Sequence, residues 1–216
     1  MVESPKRVKP RLRGWSHQWA AFLAVPAAAL LVRSAPQGRA TWAAAVYGAS
    51  LFTLFAVSAL YHRPHWPHGP RLWLRRLDHS SIFFLIAGSY TPFCLLLPPP
   101  SRLLLLAIAW GGALLGMIQV SFFVGTPRSL RIGLYLALGW AAAPFAPELY
   151  AAVGAGPFVL LAAGGFFYSA GAIIYGVRRP DPVPHVFGFH EIFHAMVVAA
   201  AACHFAMMVQ VVARIR

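Results

Sequence analysis

Carboxylates are nearly absent from this sequence: five Asp and Glu in 216 residues, and only 11% charged residues in all. An ordinary soluble domain has about 25%. With 59% hydrophobic residues and a mean hydropathy of +0.65, the chain does not take water as its main solvent. Lysine is as scarce. Lys6 and Lys9 both lie in the N-terminal tail, which excludes a retinal protein, since that chemistry needs a Schiff-base lysine in a membrane helix. Two cysteines, Cys94 and Cys203, both within apolar runs, exclude a disulfide framework and a Cys-based metal site, and read as small hydrophobes.

What is present is a series of long apolar runs: Trp15 to Val32, Ala40 to Tyr61, Ser80 to Leu97, Leu103 to Val124, Ile132 to Phe145, Pro157 to Val177 and Ile192 to Ala213. Most approach the roughly 20 residues that a helix needs to cross the hydrocarbon. The fifth is the weakest, shortened by Pro144 and Pro147 and followed by Glu148, so six spans are the alternative count. Sustained alternation of period two is missing, which argues against a membrane barrel. The expected fold is all-α, a bundle of seven transmembrane helices. Residues 1–14 form a basic tail and 15–216 a single membrane domain. The basic tail, the first apolar run and Ser34-Ala35 mimic a secretory signal; an uncleaved first span is the expectation.

The net charge of +13 is not a nucleic-acid signature, because the basic residues are dispersed between apolar runs. Topology accounts for them. With seven spans and a cytoplasmic N-terminus, 13 Lys and Arg fall on the cytoplasmic side: five in the tail, then Arg63, Arg71, Arg75, Arg76, Arg128, Arg131, Arg178 and Arg179. Five fall outside, Arg33, Arg39, Arg102, Arg214 and Arg216. The positive-inside bias thus places the N-terminus in the cytoplasm and the C-terminus outside, as expected of an inner-membrane protein.

Of the five acidic residues, Glu3, Glu148 and Asp181 fall in tails or loops. Asp78, read as the start of the third helix, and Glu191, at the start of the seventh, stand where an ionisable group is costly and marks a functional site. A capping role for Asp78 and a headgroup position for Glu191 are the plain alternatives. His190 and His194 are four apart, one turn above each other with roughly 6 Å between their ring-bearing carbons. Ser58 and His62 repeat that spacing. In the seven-span topology His62, Asp78, His190 and His194 all reach the cytoplasmic leaflet. Three imidazoles and a carboxylate are what a zinc site with an open fourth position needs. His65 and His68 read as solvated members of a Pro-rich loop, and His17 and His185 as interfacial. His79 is turned roughly 100° from Asp78, and His204 lies about 15 Å deeper than His194 as a hydrogen-bonded residue of a second tier.

His190-Glu191-Ile192-Phe193-His194 also satisfies H-E-x-x-H, the zinc metalloprotease pattern. The Leu-Asp-Gly element usual in intramembrane proteases of that type is missing, since His79 follows Asp78. A pore would carry polar residues along a whole transmembrane path, whereas these gather in one leaflet.

Pro10-Arg11-Leu12-Arg13-Gly14-Trp15-Ser16-His17, Ser58-Ala59-Leu60-Tyr61-His62, Leu77-Asp78-His79-Ser80-Ser81-Ile82-Phe83, Ala87-Gly88-Ser89-Tyr90-Thr91-Pro92-Phe93 and Phe189-His190-Glu191-Ile192-Phe193-His194 together resemble the haemolysin III proteins, bacterial relatives of the adiponectin and progestin receptors (PAQR type). The resemblance covers nearly the whole chain, and Ser89 stands where the family more often has Thr. It implies a seven-helix fold with a cytoplasmic N-terminus and a zinc ion (Zn2+) held by His62, His190 and His194. It also implies that Asp78 holds the zinc-bound water, that Ser58 lines the site, and that the position of Glu191 is not essential. Related receptors look like lipid amidases with ceramidase activity. The implied function is zinc-dependent hydrolysis of a lipid amide or ester drawn from the bilayer. An intramembrane protease and a receptor-like or cytolytic protein without catalysis are the alternatives.

Overall fold

A computed structural model describes residues 9–123 and 125–215. Residues 1–8 of the basic tail, Val124 at the end of the fourth apolar run, and Arg216 lie outside the described residues. Within them the chain is helical: α1 (Trp15–Ser34), α2 (Arg39–His62), α3 (His68–Cys94), α4 (Pro99–Phe122), α5 (Arg128–Gly139), α6 (Ala146–Val153), α7 (Ala155–Val177) and α8 (Phe189–Val212). A 3-10 turn, Ala143–Phe145, joins α5 to α6. No β-strand forms among the described residues; an isolated bridge pairs Val183 with Phe187.

Proline and glycine set many of the boundaries. Pro67, Pro98 and Pro127 stand immediately before α3, α4 and α5 in extended backbone, with ψ of 161°, 149° and 144°, as a residue that cannot continue a preceding helix should. Gly14 precedes α1 at φ 80°, a conformation that side chains with a Cβ rarely adopt. A Cβ there would also come within 2.8 Å of the His62 Cβ, so Gly14 lets the tail lie directly against the end of α2.

The largest departure from the sequence reading is α3. It starts at His68 rather than near Ser80, which puts Asp78 in its third turn and excludes a capping role for that residue. The reason is that Arg71, Arg75 and Arg76 end an apolar run without ending a helix. At 1.5 Å per residue its 27 residues reach about 40 Å. The fifth run differs too, breaking at Trp140 into α5, the turn and α6 around Pro144 and Pro147.

Among the described residues six helical segments are long and apolar enough to cross a membrane: α1, α2, α4, the segment Arg128–Val153, α7 and α8. Large apolar side chains including Phe22, Leu23, Trp42, Leu115, Phe122 and Phe166 face outward, as lipid contact demands. The protein is a multi-pass membrane protein. Consecutive helices α1 to α4 pack pairwise, and α8 packs on α7 and also on α1, α2 and α3. The contact faces carry small residues, such as Ala40, Ala43, Ala44 and Gly48 on α2 and Ala200 and Ala201 on α8, which let membrane helices approach closely. α5 is different: Leu138 is its one buried residue. It touches α3, α4 and α7 and borders a cavity of about 1280 Å³ that α2, α3, α7 and α8 also line.

Candidate metal centre

Three helices build the site. His62 is the last residue of α2, Asp78 lies on α3, and His190 and His194 are on the first two turns of α8. The ring centroids of His62 stand 4.8 Å from His190 and 5.0 Å from His194, and those of His190 and His194 are 4.6 Å apart. One nitrogen from each of the three rings lies within 4.8 Å of the others. Asp78 Oδ2 is 3.8 Å from His62 Nε2, and Ser58, buried one turn before His62, adjoins the same carboxylate. All five residues chosen from the sequence line the cavity together.

The histidine cluster fits a cation. His190 Nε2 and His194 Nδ1 are buried without a hydrogen-bond partner, and imidazoles without acceptors nearby offer lone pairs. A buried orphan nitrogen costs about 1–3 kcal/mol. Three imidazoles suit zinc, and also copper, iron or nickel.

Other residues fall elsewhere. His204 Nε2 lies 3.3 Å from the Leu161 carbonyl oxygen, and its ring meets Tyr168 edge-on at 5.4 Å. His68 opens α3 rather than lying in a loop, and both it and His65 are exposed. His185 is exposed in the connection before α8, where its carbonyl accepts the Arg11 N–H at 2.9 Å. Both oxygens of Glu191 are committed: Oε1 pairs with Arg13 Nε, and Oε2 accepts the Gly188 N–H at 2.9 Å. The second contact is half of a capping box, satisfying an otherwise orphaned donor at the start of α8. The H-E-x-x-H glutamate thus ties the tail to α8.

Two features escaped the sequence reading. His17 is buried inside the protein; it stacks on His194 and meets Phe55 edge-on at 5.1 Å. Its position three residues after Gly14, at the start of an apolar run, was the available signal. Tyr175 is the second: its ring is 5.5 Å from that of His190 and carries the Arg128 guanidinium 3.9 Å above it. The electrostatics at this end are strongly positive. In the tail, Lys9 Nζ donates to the Arg63 carbonyl at 2.8 Å; burial, then Arg63, Arg71 and Arg13, hold its amine below the ordinary lysine range.

The profile of the family described as Haemolysin-III related matches residues 6–205. Hemolysin-3 of Bacillus cereus is 37% identical over 194 residues, 88% of this chain and 85% of that protein. The Hemolysin-3 homolog of Bacillus subtilis (strain 168) is 33% identical, covering 88% of each chain. The human monocyte to macrophage differentiation factor is 30% identical over 86% of this chain and 78% of its own length.

Proposed function

The chain belongs to the haemolysin III family, and from that premise we propose that it is a zinc-dependent hydrolase of an acyl lipid, seven-spanning, with its N-terminus in the cytoplasm of a bacterial inner membrane. The observation that carries the proposal is the meeting of His62, His190, His194 and Asp78 at one end of a cavity whose deeper wall is apolar. α3 is the seventh span; its length suffices, and its polar face belongs to the cavity.

A zinc ion on the three histidines, with a position left open, would supply polarisation of a scissile carbonyl and a lowered pKa for a water beside it. The chain's own residues do the rest. Asp78 stands beside His62 at the distance of a group that can orient an attacking water, accept its proton and return it to the leaving oxygen or nitrogen. Ser58, buried beside that carboxylate, supplies a hydroxyl that would orient it. Ile86, Phe93, Leu149, Phe158 and Leu161 line the remainder of the cavity and suit an acyl chain. At about 1280 Å³ it exceeds the roughly 300–1,000 Å³ of ordinary small-molecule pockets. The protease alternative is disfavoured by the commitment of Glu191 to Arg13 and Gly188.

The test is turnover of a panel of amide- and ester-linked lipids by purified protein before chelation, after it, and after zinc is restored. Hydrolysis that disappears and returns with the metal is expected. Fully zinc-loaded protein that turns over no lipid would sink the hydrolase and leave a receptor-like or cytolytic role.

A further inference from the structure

We propose that the ligand of this cavity is an anionic acyl lipid whose phosphate is held by Arg75, Arg128 and Arg131, one aromatic ring away from the histidine triad. The inference rests on the cavity taking a lipid, as proposed above, and adds the charge and chemistry of its head group.

Arg75 projects from α3, and Arg128 and Arg131 from the first turn of α5; all three are half-buried and line the cavity. His79 lines the cavity with all three, and shares a smaller pocket beside it with Arg75 and Arg131. None has a carboxylate partner. Among the described residues the ion pairs are Arg13 with Glu191 and His62 with Asp78, and of the other acidic residues only Asp181 also lines the cavity. Three gathered guanidinium groups repel one another and await an anion.

Two of them are held in place for one. Arg131 Nη1 donates to the Thr126 carbonyl at 3.2 Å. Arg128 lies on the Tyr175 ring at 3.9 Å and beside Phe189 at 5.9 Å, with Nη1 buried and unpartnered. A stacked guanidinium with free N–H groups is preorganised to bind phosphate in a fork. The Tyr175 ring that carries Arg128 is the one 5.5 Å from His190. A phosphate held there would bring nearby bonds to the triad, and in a glycerophospholipid the acyl esters lie only a few bonds from the phosphate.

General attraction of cytoplasmic arginines to anionic membranes is the competing explanation. Arg76 separates the two. It neighbours Arg75 on α3 and shares a small side pocket with Arg75, His79 and Arg131, but it stacks on Trp73 at 4.9 Å and does not line the large cavity.

The experiment is native mass spectrometry of the full chain released from mixed micelles holding equal phosphatidylglycerol and phosphatidylcholine with identical acyl chains. Wild type should retain phosphatidylglycerol by roughly tenfold or more, the scale of one charge-assisted hydrogen bond. Arg128→Gln with Arg131→Gln should bring the ratio near parity, whereas Arg128→Lys keeps part of it and Arg76→Gln keeps all of it. No preference in wild type, or equal loss in Arg76→Gln, overturns the proposal. Excess inorganic phosphate should leave the bound lipid in place; its displacement would mean a site for soluble phosphate and overturn the lipid assignment. Retention of phosphatidylglycerol without hydrolysis of any lipid supports this inference while removing the hydrolase. Hydrolysis of ceramide or phosphatidylcholine without anionic preference does the reverse.

Discussion

His17 lies flat against His194, ring centroids 3.9 Å apart and planes 6° from parallel. His17 is not among the histidines whose ring nitrogens gather within 4.8 Å of one another, so its contribution to His194 is a surface that fixes the ring plane. His17→Phe should keep that surface and the metal content. His17→Ala should weaken zinc binding roughly tenfold, the lower end of the effect of residues that orient a ligand. Competition with a fluorescent chelator reads both. Equal loss in both variants would mean that a ring nitrogen of His17, not its plane, matters.

Metal binding itself should depend on each of His62, His190 and His194. Alanine at any of them should lower zinc content in protein purified without added chelator, measured by plasma mass spectrometry. His65→Ala and His68→Ala should leave it unchanged, since both side chains are exposed. Removing zinc should also lower the melting temperature, because a ligand at 100 times its Kd stabilises by about 2.7 kcal/mol. Zinc lost equally from these two variants would put the site elsewhere.

The convergence of His62, Asp78, His190 and His194 was legible because each stands at a helix end or on a polar turn, and apolar run length together with charge asymmetry orders those ends in one leaflet. The start of α3 was not legible. Arg71, Arg75 and Arg76 lower hydropathy without breaking a helix, so an apolar window begins too late. The weakness of the fifth run was legible in Pro144 and Pro147, but the return to helix at Ala146–Val153 was not, because Glu148 lowers hydropathy there without ending the helical segment. The burial of His17 and the shelf made by Tyr175 depend on which helix lies alongside, and no periodicity within α1 or α7 carries that information.

Close helix packing gives a prediction independent of the metal. A Cβ on Gly88 would meet the Ser50 Cβ at 2.6 Å, and one on Gly164 would run into the His204 ring. Gly88→Ala and Gly164→Ala should each destabilise by about 1–3 kcal/mol, the usual range for overpacking. Gly111 on α4 has nothing within 4 Å, and Gly111→Ala should hold or raise stability. Thermal unfolding in detergent decides the matter, and a Gly164→Ala protein as stable as wild type would contradict the α7 to α8 packing.

Topology is testable through the 13 to 5 asymmetry of Lys and Arg. Alkaline phosphatase fused after the last residue should be active, and a fluorescent reporter fused there dark, if seven spans carry the C-terminus outside. The reverse pattern would leave six spans. α3, the one long helix that falls short on apolar composition, would then be the segment to reassign.

Asp78 and Glu191 both lie near the triad, and they face different work. Asp78 Oδ2 stands 3.8 Å from His62 Nε2, open to the cavity, whereas Glu191 is engaged by Arg13 and the Gly188 N–H. Removing the charge of each by an isosteric amide separates proton transfer from scaffolding. Asp78→Asn should retain zinc and fold, yet lose lipid hydrolysis by roughly 10²-fold or more, the contribution of a positioned general base. Glu191→Gln should keep most of the activity and instead lower the melting temperature. An amide can still accept the Gly188 N–H but leaves Arg13 without its anion, and breaking a largely buried pair costs about 3–5 kcal/mol at most. Adding Arg13→Gln to Glu191→Gln should recover part of that loss, because no unpaired cation remains. Activity surviving in Asp78→Asn and vanishing in Glu191→Gln, with zinc intact in both, would transfer the base to Glu191 and revive the metalloprotease reading of His190-Glu191-Ile192-Phe193-His194.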